Sequence, residues 1–161
     1  MRLPILDKLE KELFDSKKEL EVDIPKALKI ATDMGDLSEN AEYKAAKERQ
    51  MFLESRISQM QKRISDIMVL DFNRIPKDRC GLGSTLILKN LNSGEKKTFH
   101  LVFPEEVNPD EGKISLASPV GKSLIGKIEG DEVNMSIAGE DYEYEVLQLT
   151  TIHHQPEFKK D

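Results

Sequence analysis

The feature that most limits the fold is the row Tyr43, Ala46, Gln50, Leu53, Ile57, Met60, Ile64 and Ile67. Its steps alternate between three and four residues without a miss. That is a heptad seam on one helix, disturbed once by the polar Gln50. A helix with such a stripe gains its stability by burying it against another apolar surface. The preceding segment offers one: from Ile5 to Ala31 the residues Leu6, Leu9, Leu13, Leu20, Ile24, Leu28 and Ala31 recur mostly at helical spacing, with Lys17 filling a gap. Pro25 lacks an amide proton, so a kink or short break is predicted near 21–25. The seam also suits pairing between two copies of the chain, but the short, glycine-containing connection favours pairing within one. The reading is an antiparallel coiled-coil hairpin. Its second arm runs from about Ser38 to Met68 and is roughly 45 Å long at 1.5 Å per residue.

The connection between the arms is Gly35-Asp36-Leu37-Ser38-Glu39-Asn40-Ala41-Glu42-Tyr43. Gly35 suits the positive φ of a chain reversal. Asp36 is predicted to cap the second helix, with Glu39 three residues on as its capping-box partner. A well-capped turn accounts for the glycine and one acid. It does not account for Asp33, Asp36, Glu39 and Glu42 together, with no base among residues 33–42. Carboxylates spaced i, i+3 at a helix end lie close enough to hold a hard, oxygen-seeking ion such as Mg²⁺. Just beyond, residues 44–63 carry Lys44, Lys47, Arg49, Arg56, Lys62 and Arg63 against Glu48 and Glu54, so an acidic point sits beside a basic shaft.

Near Asp71 the helical period stops. Residues 73–83, with Pro76, Gly81 and Gly83, read as a linker. Strand-like runs follow at Thr85–Leu88, Thr98–Phe103, Lys113–Leu116, Glu132–Ile137 and Tyr142–Leu149, with hairpin turns at Asn92-Ser93-Gly94 and Ala138-Gly139-Glu140-Asp141. A short helix is predicted at Pro119–Ile125, started by Ser118, and Gly121 and Gly126 read as turn glycines. This half reads as a small antiparallel α+β domain. The division is a finger at 1–72, a linker at 73–83, a globular domain at 84–152 and a frayed polar tail at 153–161, in which His153-His154 resembles a metal site only superficially.

The net charge of −6 argues against strong independent binding to duplex DNA. No apolar run of membrane-spanning length and no signal-peptide pattern occurs, and the single cysteine, Cys80, suits a reducing compartment; the expectation is a cytoplasmic protein without a membrane partner.

The string GDLSENAEY at a hairpin turn closely resembles a signature of the bacterial transcript-cleavage factors of the GreA/GreB family. A second string, Ser115-Leu116-Ala117-Ser118-Pro119-Val120-Gly121-Lys122-Ser123-Leu124-Ile125 followed by Gly130-Asp131, resembles the family's C-terminal signature. The resemblance runs from about Leu6 to Leu149. It implies a coiled-coil finger followed by an FKBP-like domain, and RNA polymerase as the partner. The globular domain grips the rim of the polymerase's secondary channel, while the finger reaches toward the active site. There it stimulates the polymerase's own cleavage of backtracked nascent RNA near its 3′ end. The family's essential tip acids match Asp36 and Glu39, which implies a Mg²⁺ shared with the polymerase and not held stably by the factor alone. Such a factor is a stimulator and not itself a nuclease.

Around those acids, Gly35, Leu37, Asn40 and Tyr43 are expected to shape the tip, with Tyr43 also placed to approach RNA or polymerase. Lys44, Lys47 and Arg49 are candidates for contact with extruded RNA, the alternative being a solvated helix flank. Ser118 and Pro119 first start a helix, and a docking role for this region comes from the family. Thr32 stands where the family commonly has Arg, and Arg2 and Ile5 replace a frequent Thr and Gly. Two other functions fit parts of the sequence. A channel-binding inhibitor without cleavage activity would share both domains but alter the tip. A prolyl isomerase would need an aromatic pocket, for which residues 84–149 offer Phe99, Phe103, Tyr142 and Tyr144. A stand-alone metallohydrolase fits least, since the acids have no nearby His.

Overall fold

A computed structural model describes residues 3–35 and 39–155. The chain divides into two compact units, the first Leu3–Leu70 and the second beginning at Asp71. It is mixed α and β, with a helical N-terminal unit and a sheet in the second.

The first unit consists of α1 (Pro4–Lys18), a π-helical turn at Glu19–Asp23, α2 (Ile24–Asp33) and α3 (Ala41–Met68). The seam in α3 is buried as its period requires: Ala46, Leu53, Ile57, Met60, Ile64 and Ile67 are inside, and Tyr43 and Gln50 are half-buried. Facing pairs give the direction, because Glu12 meets Arg56, Glu19 meets Arg49 and Ala31 meets Asn40. Positions fall along one arm as they rise along the other, so the arms are antiparallel.

Three local expectations need correction. At the gap in the first seam it is Ser16 that is buried, whereas Lys17 is only partly covered. A small hydroxyl side chain fits a helix interface that a lysine must leave. Near Pro25 the break offered as one alternative does not occur: the helix widens, with Ile24 N–H donating to Glu19 O five residues back. Pro25 gives no amide to the carbonyl behind it, and a π turn absorbs the lost bond without ending the arm. Finally, α3 begins at Ala41, and its cap is Asn40, whose side chain accepts from Tyr43 N–H at 3.0 Å.

The second unit is built on a five-stranded sheet of β1 (Thr85–Asn90), β2 (Lys96–Val102), β3 (Lys113–Ser115), β4 (Glu132–Ile137) and β5 (Glu140–Thr150), in the order β3-β2-β1-β5-β4. Both hairpin turns are present, with Gly94 at positive φ between β1 and β2; the second is tighter than expected, since Ala138 and Gly139 alone take positive φ and Glu140 and Asp141 already belong to β5. The sheet is not wholly antiparallel, since β3 runs parallel to β2, with Leu101 opposite Ile114. Between them the chain makes two 3-10 turns, each opened by a proline, Pro104 and Pro109, and returns in the same direction. The core gathers Leu86, Leu88, Leu101, Val133, Tyr144 and Val146 from the sheet with Leu124 of α4 (Pro119–Leu124) and Cys80.

Residues 75–83 are part of this unit and not a linker. Cys80 N–H donates to Lys127 O and Gly126 N–H donates to Cys80 O, both at 2.8 Å, and Gly83 N–H donates to Leu101 O. Nor do residues 153–155 fray. The His153 ring nitrogen Nε2 lies 2.8 Å from Ile75 O, Thr151 Oγ1 lies 2.9 Å from His154 Nδ1, and the Gln155 amide donates to Gly83 O. His153 thus ties to backbone and His154 to a side-chain hydroxyl, and among the described residues no group of three or more possible ligands gathers to hold a metal ion. Gly121 also differs from its reading as a turn glycine. It lies inside α4 with no positive φ, and a Cβ there would stand 2.1 Å from Ser115 O. Glycine at this position is a condition of close packing.

Candidate functional site

The acidic end of the first unit is built from the last turn of α2 and the first turn of α3. Asp33 closes α2, Met34 caps it, and Gly35 takes φ +125°. Asp36, Leu37 and Ser38 lie outside the described residues. The chain is described again at the exposed Glu39, followed by the buried cap Asn40 and by Glu42 in the first turn of α3.

This arrangement separates acids that serve the helices from acids that do not. A carboxylate in the first turn of a helix meets the positive end of its dipole, so Glu42 has a structural account. Asp33 has none, because it stands at the negative end of α2, where no basic residue offsets it. Glu39 has none either. With Asn40 as cap, the box partner three residues on is Tyr43, and Glu39 falls one residue outside the helix, exposed. Among the described residues, no group of three or more His, Cys, Asp or Glu side chains is placed to hold a metal ion. Glu39 brings a solvent-facing carboxylate, a ligand type that suits a hard divalent cation, while Asp36 lies outside the described residues.

Asn40 is engaged on both sides. Its Oδ1 receives Tyr43 N–H, and its Nδ2 donates to Ala31 O across the turn at 2.6 Å. The seam and cap signals of the sequence missed this second bond, which no local pattern encodes. Tyr43 is half-buried on the seam, and Thr32 turns its hydroxyl back to Leu28 O at 2.7 Å.

The three basic candidates differ. Lys44 is exposed, and Lys47 is exposed with its Nζ donating to Gln50 Oε1 at 3.1 Å. Arg49 is committed within the first unit: Nε and Nη2 donate to both oxygens of Glu19 at 2.6 and 2.9 Å, and the guanidinium lies 5.1 Å from the Phe52 ring centroid. The Arg49 hydrogen bond holds the Glu19 carboxyl below its ordinary range, and Glu19 in turn raises the guanidinium.

In the second unit, Ser118 caps α4, accepting from Gly121 N–H at 3.0 Å and donating its hydroxyl to Ser115 O at 2.7 Å. Pro119 follows, exposed at the first helical position. The aromatics weighed for an isomerase pocket are spent on packing. Tyr144, Phe99 and Phe103 are buried, and Phe99 meets Tyr144 edge to face with centroids 6.5 Å apart. The half-buried Tyr142 donates its hydroxyl to Glu140 at 2.6 Å. Among the described residues, no helix is long and apolar enough to cross a membrane.

Two family descriptions match the chain in order. Residues 5–69 match the N-terminal region of a transcription elongation factor, and residues 75–151 match the C-terminal region of transcription elongation factor GreA/GreB. The transcription elongation factor GreA of Thermodesulfovibrio yellowstonii is 40% identical over 127 residues, covering 79% of this chain and 80% of its own. That of Wolinella succinogenes is 40% identical over 143 residues, covering 89% and 88%. Among solved structures, the GreA factor homolog 1 (Gfh1) protein of Thermus thermophilus is 27% identical, covers 90% of this chain and 94% of its own, and gives a TM-score of 0.43.

Proposed function

The chain belongs to the GreA/GreB family of transcription elongation factors, and from that premise we propose that it enters the secondary channel of RNA polymerase and stimulates the polymerase's own Mg²⁺-dependent cleavage of backtracked nascent RNA. The first unit acts as a coiled-coil finger. The second acts as an FKBP-like docking domain, with the region of Ser118 and Pro119 in its contact surface. The factor is a stimulator and performs no hydrolysis alone.

The observation that carries this reading is the exposed Glu39 carboxylate, released from helix capping because Asn40 does that work. An exposed carboxylate beside the turn, with no hydrogen bond or ion pair to another described residue, is suited to a site that another molecule completes. Asp36 and Glu39 would hold a Mg²⁺ together with polymerase carboxylates and RNA phosphate oxygens, and would orient the attacking water. A cation so held supplies Lewis-acid stabilisation of the phosphodiester oxygens under attack. The exposed Lys44 and Lys47 remain the better candidates for RNA phosphate contact, since the Arg49 guanidinium already satisfies Glu19.

The test is a stalled, backtracked elongation complex with end-labelled RNA. Added factor should shorten the RNA near its 3′ end and restore extension. Polymerase binding without shortening would identify a channel-blocking inhibitor and overturn the cleavage reading.

A further inference from the structure

We propose that Asn40 is the positioning residue of the finger's working end: by capping both arms at once, its amide sets where Glu39 stands. The proposal rests on the function given above and adds a residue to it. The Asn40 side chain is buried, and its two ends do different work. Oδ1 accepts from Tyr43 N–H at 3.0 Å and opens α3, while Nδ2 donates to Ala31 O at 2.6 Å and closes α2. The end of α2 is otherwise tied loosely by its own backbone, with Met34 N–H to Ala31 O at 3.2 Å and Gly35 N–H to Thr32 O at 3.4 Å.

Packing does little to fix the arms here. Among the described residues between Ile24 and Leu53, the buried apolar side chains are Ala31 and Ala46, which remove little area from water, and Leu28 and Tyr43 are only half-buried. The Glu19–Arg49 pair crosses between the arms about 14 Å further along α3, nine residues on at 1.5 Å per residue. Beyond that pair, the Asn40 amide supplies a directional bond from one arm to the other. Because Glu39 is bonded to Asn40 in sequence, any slip of the second arm against the first moves its carboxylate directly.

The chemistry requires an amide of this length. Aspartate offers two acceptors and no donor, so it keeps the cap and sets a carboxylate against the Ala31 carbonyl. Serine keeps a cap oxygen without the charge but has no donor that reaches across. Asn40→Asp and Asn40→Ser therefore leave α3 capped and break the tie.

Two measurements on the full chain decide the matter. Spin labels on cysteines placed at the exposed positions Lys29 and Lys44 report the separation of the arms; the native Cys80 is buried and stays unlabelled. Both variants should broaden that distance distribution relative to the parent. In the stalled-complex assay, both should bind polymerase like the parent but cleave at least roughly tenfold more slowly, since a misplacement of about 1 Å can cost a hundredfold. Part of that loss should return as Mg²⁺ is raised, which a merely destabilised helix would not show. An unchanged distance distribution in both variants overturns the tie. Broadened distances with unchanged cleavage overturn the positioning role, and a loss confined to Asn40→Asp assigns the effect to added charge and overturns it too. Absence of cleavage with the unmodified chain would count against the proposed function alone, and the label distances would still judge the tie.

Discussion

Gly121→Ala tests how tightly the second unit is built around its short helix. An added Cβ would stand 2.1 Å from Ser115 O, 3.0 Å from Ser115 C and 3.2 Å from Leu116 Cα, all backbone atoms. The oxygen cannot easily retreat, because it accepts from both Ser118 N–H at 3.1 Å and the Ser118 hydroxyl at 2.7 Å. Relief requires α4 to move outward by about 1 Å, which withdraws the fully buried Leu124 from the core. Overpacking costs typically 1–3 kcal/mol, and with backbone on every side the expectation is about 3 kcal/mol. For a unit of this size that lowers the melting temperature by roughly 12–24 °C. Calorimetry of the full chain, with the near-ultraviolet signal of the buried Tyr144 as a local probe, reads the shift. The control is Gly126→Ala, where φ is +80° but nothing lies within 4 Å of the new Cβ, so only about 1–2 kcal/mol of backbone strain is expected. If Gly121→Ala unfolds within 0.5 kcal/mol of the parent, or later than Gly126→Ala, the close-packing account of this glycine is wrong.

Two further expectations concern titration and reactivity. The Glu19 carboxyl should titrate below the usual glutamate range and return to it in Arg49→Met; since its folded pKa is lowered, the pair's contribution is present at neutral pH and lost as pH falls through that lowered value. A carboxyl NMR titration showing no difference between the two chains would contradict the pairing. Cys80 has its thiol pushed up to about 11, chiefly by burial. It should react with a disulfide reagent at pH 8 only after denaturation, and stability should fall as pH rises from about 9 toward 11, where the unfolded thiol ionises first. Prompt reaction in the folded chain would show that the sulfur is accessible.

What could be read from the sequence was whatever has a period. The α3 seam from Ala46 to Ile67 repeats often enough that burial could be assigned residue by residue, and β4 matches its run at both ends. Features resting on single residues or distant partners were harder to read. Ser16 lies on the seam because it is small, a fact invisible to a search for apolar residues. The π turn at Glu19–Asp23 is one of several ways a helix can accommodate Pro25. The segment 75–83 looks like a linker by composition, yet its amides find partners in Leu101 and Lys127, far along the chain. The parallel β2–β3 pairing depends on a three-residue strand too short to declare its direction. At the acidic end, the string from Gly35 to Tyr43 marked the connection between two helices. It misassigned the cap, because Asp36 and Asn40 are both good capping residues and only the three-dimensional approach of Ala31 favours the amide.

The most direct test of the account is charge removal at the acidic end, measured for binding and cleavage separately. Asp36→Asn and Glu39→Gln keep side-chain size but each lose a hard ligand. Each variant should bind polymerase close to normally and lose cleavage of the backtracked transcript by at least roughly a hundredfold, because in the proposed mechanism stabilisation of the developing phosphoryl charge depends on an ion that those carboxylates would help to hold. The unmodified factor should give no cleavage of free RNA, and none with a polymerase whose own metal-binding acids are replaced. Near-full cleavage by both variants would show that the acids only shape the acidic end of the first unit. Hydrolysis of naked RNA by the factor alone would place the active site in this chain and contradict the shared-site mechanism.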